Sequence, residues 1–526
     1  MPQPLEYLAE PAGVPRARQM LQQAQWAARA FAGYDRASVL RIAEAVADAA
    51  AAKARHYAEW AVRETGFGVV EHKVVKNEAC SRGIFQTYRD TDLVTPRVDA
   101  SRKLVSVPRP AGVVLALTPS TNPVATVYFK TMLALLTRNA VVISPHPMAK
   151  ECCADAARMM AAAAVAAGAP EGVIQVVDEP SVPLINALMT DERTSVIVAT
   201  GGTPVVRSAY SSGNPAIGVG PGNVPVLVDA SADLAAAAKR IVASKAFDNS
   251  VLCTNESVLI VEESVADRLL AAMKREGALL LDSDGARRLR EYMFGNGHLN
   301  TEVVGKPAAW IADRAGVRAG AKTTVLLAPF DLVVPEEPLA HEKLSPVLGV
   351  VRVPSAARGI DAARAVVRIA GAGHSAAIHS SDPATIMAYA ASVPVLRVSV
   401  NVGNSTGSSG LETNLAPTMT VGTGFVGRSS LGANLEPKNL VNWTQIAYNA
   451  DPREVMPSFT GIVPWAAPRG PVPPYPVASN AAGVLKAPPA TLQPAASDLA
   501  GTATADELRE HVRRLIVEEL SHFVKN

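Results

Sequence analysis

Apolar runs alternate with helix-like stretches along most of the chain, and this alternation sets the first expectation. Between residues 17 and 64 apolar positions recur at helical spacing, as in Val39, Ile42, Ala43, Val46 and Ala50, which predicts two or three opening helices. Short apolar runs at 113–117, 141–144, 173–177 and 196–199 are separated by helical patterns, the signature of βαβ units and a parallel sheet. A second block has strand candidates at 224–228, 257–261, 324–328 and 347–353, so two α/β domains are expected. The run 103–107 favours extended backbone, but Pro108 and Pro110 argue against a paired central strand there. Residues 93–110 are therefore expected to form an extended arm.

The pattern changes near the end. Nine prolines fall among the forty residues 461–500, with little charge, which predicts a linker over 461–501. Beyond it, Thr504 and Glu507 form a capping box, and Leu508, Val512, Leu515, Ile516, Leu520, Phe523 and Val524 share one helical face. An amphipathic helix is expected over 502–526, and its stripe has to bury against something.

Composition removes several function classes. With 50 Lys and Arg against 48 Asp and Glu, no charge excess steers the chain to nucleic acid or an anionic membrane. The longest greasy run, residues 159–169, falls well short of the ~20 residues that cross a bilayer, and the opening residues lack a secretory pattern. Four cysteines, Cys80, Cys152, Cys153 and Cys253, neither build a disulfide framework nor show the paired spacing of a zinc site, so no metal is expected. A reducing cytoplasm fits this usage.

Candidate chemistry centres on Cys253 in FDNSVLCTNES, between a polar turn and a strand candidate. A lone cysteine is ordinarily inert packing. Here, however, ASKAFDNSVLCTNES closely resembles the nucleophile segment of the aldehyde dehydrogenase superfamily, in its CoA-acylating branch. Four further motifs agree, in family order: TPSTNP at 118–123, ATGGTPVVRSAY at 199–210, IGVGPGN at 217–223 and HEKLSPV at 341–347. The resemblance runs from about residue 17 to 448.

The resemblance implies an aldehyde dehydrogenase-like fold: an NAD-binding domain at 1–225 with the arm near 93–110, a catalytic domain at 226–425, and a return to the NAD-binding and oligomerisation region at 426–460. It implies Cys253 as nucleophile and Asn122, with the Cys253 backbone N–H, as oxyanion donor; on its own Asn122 also reads as a turn residue before Pro123. Thr118, Pro119, Ser120, His146, Thr200, Gly201, Gly202, Gly220 and Glu342 are implied to bind the dinucleotide. ATGGTPVV lacks the GxGxxG pattern, and its backbone N–H groups are expected to meet a pyrophosphate at a helix N-terminus. His341 is a minor candidate for proton transfer.

Hydrolytic relatives carry a water-activating Glu where this chain is read as having Gly218, so the thioester is expected to await the coenzyme A thiol. The implied reaction converts a short aldehyde of the acetaldehyde or propionaldehyde type, NAD and coenzyme A to acyl-CoA and NADH. Hydrolysis to a carboxylic acid, or an idle scaffold, are the competing readings. The Pro-rich linker and amphipathic helix resemble encapsulation peptides, which implies shell or cargo proteins of a bacterial microcompartment as partners. The arm and the family resemblance together imply a homodimer or homotetramer.

Overall fold

The computed structural model describes residues 11–476. Three helices, Val14–Phe31, Arg36–Ala52 and Ala54–Thr65, open it as the periodicity requires, each burying an Ala-rich stripe. After the short strands β1 (Arg97–Asp99) and β2 (Leu104–Pro110) come β3 (Val113–Thr118), β4 (Ala140–Pro145), β5 (Ile174–Val176), β6 (Val196–Thr200) and β7 (Ala216–Val219). These last five form a wholly parallel sheet in the order β5-β4-β3-β6-β7. Every residue of β3 and β4 is buried, as is the whole helix Pro123–Leu136, so both faces of the sheet are covered.

The second block supplies β8 (Val224–Val228), β9 (Glu256–Glu262), β10 (Ala278–Leu280), β11 (Val325–Pro329), β12 (Val347–Val353), β13 (Ala376–His379) and β14 (Val398–Val400). They form a seven-stranded parallel sheet in the order β10-β11-β12-β9-β8-β13-β14. A last strand, β15 (Val441–Ala447), returns to pair with β2.

Two expectations need correction. β2 is the central strand of the ribbon β1-β2-β15 and runs through both prolines. β1 covers β2 only at residues 104–106, whereas β15 follows it to Pro110. The Pro108 carbonyl accepts from the Arg138 guanidinium, so the Pro108 backbone faces away from β15 and its missing N–H interrupts no ladder. The other correction concerns the proline-rich linker, whose residues 461–475 pack on the helical layer. Trp465 Nε1 donates to the Val94 carbonyl at 2.7 Å, and the Arg138 guanidinium lies over its ring. Trp26 Nε1 donates to the Pro473 carbonyl at 2.9 Å and meets Tyr475 edge-on. Average composition hid these few aromatic anchors. The rest of the linker and the helix expected at 502–526 lie outside the described residues.

Candidate active site

In an open parallel sheet, ligands bind beyond the carboxyl ends of the strands where the strand order reverses. In the five-stranded sheet that point lies between β3 and β6. A cavity of about 560 Å3 opens there, lined by Cys253, Asn122 and every residue expected to bind the dinucleotide, though not by His341. Thr118 ends β3 and Pro119, Ser120 and Asn122 follow it, His146 follows β4, Thr200 ends β6 with Gly201 and Gly202 just beyond, and Gly220 follows β7. Cys253 and Glu342 enter from the second block.

The wall at the sheet end suits a dinucleotide. The hydroxyls of Thr118 and Ser144 are buried there without a partner, leaving two unmet donors for a polar ligand. Gly202 caps the N-terminus of the helix Thr203–Tyr210, and a β-carbon on Gly220 would meet nothing within 4 Å, so the backbone is open to close approach. Val182, Ile185 and Met189 add an apolar slot. Burial pulls the His146 imidazole below its ordinary range, and its Nδ1 accepts from the Met148 N–H at 3.2 Å.

At the other end, Cys253 sits between the turn Phe247–Ser250 and β9. Asp248, Asn249 and Ser250 are left-handed, with φ of 51°, 50° and 63°. Such a turn needs external ties. The Asp248 N–H donates to His72 Nδ1 at 2.8 Å, Asp248 Oδ1 accepts from the Val69 N–H at 2.7 Å, and Asn249 Nδ2 donates to the Gly305 carbonyl at 2.9 Å. A β-carbon on Gly222 would lie 2.1 Å from the Cys253 carbonyl oxygen, which explains that glycine in IGVGPGN. Cys80, Cys152 and Cys153 are buried, while Cys253 is partly exposed to the cavity.

Burial pushes the Cys253 thiol up to about 12, with the Glu342 carboxylate adding and Arg397 opposing. Burial also pushes Glu342 up to about 8 against the pull of Lys245. Asn122 Oδ1 accepts from Lys76 Nζ at 2.5 Å, and its backbone carbonyl is fixed by the Thr126 N–H and hydroxyl.

A profile of the aldehyde dehydrogenase family matches residues 8–283. The succinate-semialdehyde dehydrogenase (acetylating) of Clostridium kluyveri is 34% identical over 433 residues, 82% of this chain and 95% of that protein. The chain belongs to the aldehyde dehydrogenase family. The bifunctional aldehyde-alcohol dehydrogenase of Escherichia coli K12 is 36% identical over 82% of this chain but 49% of its own length, so this chain spans about half of that relative. A solved acetylating aldehyde dehydrogenase from Geobacillus thermoglucosidasius superposes with a TM-score of 0.82 at 37% identity, covering 85% of this chain and 98% of the other. Solved propionaldehyde dehydrogenases from Rhodopseudomonas palustris, with bound propionyl-CoA, and from a Clostridium phytofermentans fucose utilisation microcompartment each superpose at 0.75 over 82% of this chain, with 27% and 26% identity and 94% and 97% of their own lengths covered.

Gly218, read as standing where hydrolytic relatives carry their base, is not a wall residue of the cavity. A β-carbon there would strike Val206 and Tyr210 at 2.6 and 2.7 Å. Val219 faces the cavity instead, because side chains alternate along a strand. Neither residue supplies a carboxylate. His341 lies off the cavity lining, with Nε2 2.8 Å from the Pro335 carbonyl.

Three groups near the site carried no functional signal in the sequence. Lys245 is buried near Glu342 and Glu256, and burial pulls it to about 7. His374 is buried with Nε2 unpartnered, and its ring lies 3.3 Å from the place of a Gly222 β-carbon. Lys73 and Lys76 share a helix face. Lys245 lies within ASKAFDNSVLCTNES but carried no signal of its own, and His374, Lys73 and Lys76 lie outside every motif, although the i, i+3 and i, i+4 spacing in EHKVVKN signalled a common polar face.

Proposed function

We propose that this chain is an NAD-dependent, CoA-acylating aldehyde dehydrogenase turning a short aldehyde into an acyl-CoA. The observation that carries this reading is the single cavity joining Cys253 and Asn122 to the sheet-end wall, to which β7 contributes the apolar Val219 and no carboxylate. The Cys253 thiolate attacks the aldehyde carbonyl, and the oxyanion forms against Asn122 Nδ2 and the Cys253 backbone N–H. Collapse of that oxyanion expels the aldehyde hydrogen as hydride and leaves an acyl thioester on Cys253. NAD, held by Thr118, Pro119, Ser120, His146, Thr200, Gly201, Gly202, Gly220 and Glu342, supplies the hydride acceptor when bound. With no carboxylate at Gly218 or Val219 to activate it, water is a poor nucleophile; the coenzyme A thiol attacks the thioester and the Cys253 thiolate leaves. The acetylating relatives and the propionyl-CoA-bound neighbour support this reading.

The enzyme works in the cytoplasm as a homodimer or homotetramer using the ribbon at 97–110, and residues 502–526 carry it to shell or cargo proteins of a bacterial microcompartment. That tail's amphipathic pattern and the microcompartment neighbour support its assignment. Among the described residues, no helix is long and apolar enough to cross a membrane.

The test is NADH formation from acetaldehyde or propionaldehyde with and without coenzyme A, with the product weighed by mass spectrometry. The expected product is a CoA-dependent acyl thioester, absent in Cys253→Ala. Free acid formed equally fast without coenzyme A would transfer the assignment to the hydrolytic reading. Deleting 502–526 is expected to leave turnover intact and abolish co-assembly; co-assembly that persists refutes the tail's role.

A further inference from the structure

Lys76 and Asn122 meet in the buried body of the protein, 46 positions apart in sequence. Lys76, on the helix Val70–Glu78, is fully buried, and a π-helical turn, Ala79–Gly83, follows that helix directly. Its Nζ donates at once to Asn122 Oδ1 and to the Asp248 carboxylate. Lys73, one turn earlier on the same face, donates to Asp248 Oδ2 at 3.0 Å. Burial pushes Asp248 up, but the two ammonium groups outweigh it and hold the carboxyl below its ordinary range.

This arrangement decides which end of the Asn122 carboxamide is free. A carboxamide presents either its carbonyl or its NH2 in a given direction. With Oδ1 engaged by an ammonium, Nδ2 is the end left to donate; a flip would set two donors against each other. Nδ2 has only a 3.4 Å contact to the Thr121 hydroxyl, so it is available to a ligand. A cation on the carbonyl oxygen also polarises the amide and strengthens its N–H as a donor. Asp248, meanwhile, opens the left-handed turn that delivers Cys253.

We propose that Lys76 is a positioning residue for the oxyanion site: it fixes Asn122 with Nδ2 free to donate and, through Asp248, holds that donor in register with the turn carrying Cys253. Lys73 supplies one positive charge against the single charge of Asp248, so charge balance by itself does not require the second lysine. The proposal rests on the Cys253 and Asn122 roles proposed above.

The experiment is a double-mutant cycle of Lys76→Met and Asn122→Ala on the full chain, reading kcat at saturating aldehyde, NAD and coenzyme A. Each single variant is expected to lower kcat by about 10²-fold, the scale of a lost or misplaced donor. Lys76→Met should add less than about threefold in the Asn122→Ala background, because effects acting through one group do not multiply. A purely structural lysine would cost the same factor in both backgrounds. That result, or native kcat in Lys76→Met, overturns the proposal. Native kcat in Asn122→Ala overturns the oxyanion assignment beneath it instead. If Lys76→Met does not fold, Lys76→Gln, which keeps a donor for Asn122 Oδ1, enters the same cycle. Failure of both variants to fold would reduce Lys76 to a stability role and overturn the proposal.

Discussion

The Glu342 carboxylate opposes ionisation of the Cys253 thiol, and both groups line one cavity. Burial is the larger cause of the raised thiol, and the carboxylate adds to it. Arg397 acts in the opposite direction. The resting nucleophile is therefore a protonated thiol, and any change that removes the Glu342 charge favours the thiolate.

The sign of this effect depends on pH. Glu342 is pushed up to about 8, so below that pH it is largely protonated and exerts little repulsion on Cys253. Glu342→Gln is expected to match the native rate of Cys253 alkylation by iodoacetamide in that range, and to exceed it increasingly above about pH 8. The pH profile of alkylation checks this. Equal rates well above that pH would remove Glu342 from the electrostatics of the thiol.

Val219 and Gly218 separate facing from sequence position. Val219→Glu puts a carboxyl into the cavity wall and is expected to divert part of the thioester to free acid, measured as the acid to acyl-CoA ratio. Gly218→Glu sets its β-carbon against Val206 and Tyr210 and is expected to lower thermal stability without raising that ratio. Acid release from the second variant and not the first would reverse the facing.

Arg397 holds the loops around the site together. Its buried guanidinium donates to Asn434 Oδ1 and to the carbonyls of Gly373, His374, Gly422 and Gly432. Arg397→Met strands those acceptors and is expected to cost roughly 2–4 kcal/mol. Urea unfolding should show a lower midpoint with an unchanged slope. A midpoint equal to the native one would mean that water replaces the guanidinium without loss.

What the sequence by itself determined was local. Alternating apolar runs and helical patterns specify parallel strands with covered faces, because a strand buried on both sides has to be apolar throughout; β3, β4 and β8 fall where those runs lie. Motifs likewise carried the cavity residues, since strand ends and turns hold their chemistry within a few positions. Tertiary structure decided the rest. The side of β7 that meets the cavity changes with a single-residue shift, so Gly218 and Val219 could be told apart only once the strand was seated. β2 tolerates Pro108 because its neighbour β1 ends before it, a fact about another strand. Lys76 reaches Asp248 across 172 positions, Lys245 lies near Glu342, and the His374 ring lies against Gly222 from outside every motif. Those meetings depend on how separate elements pack, and pattern along a chain carries no information about the distance between two buried side chains that no local period connects.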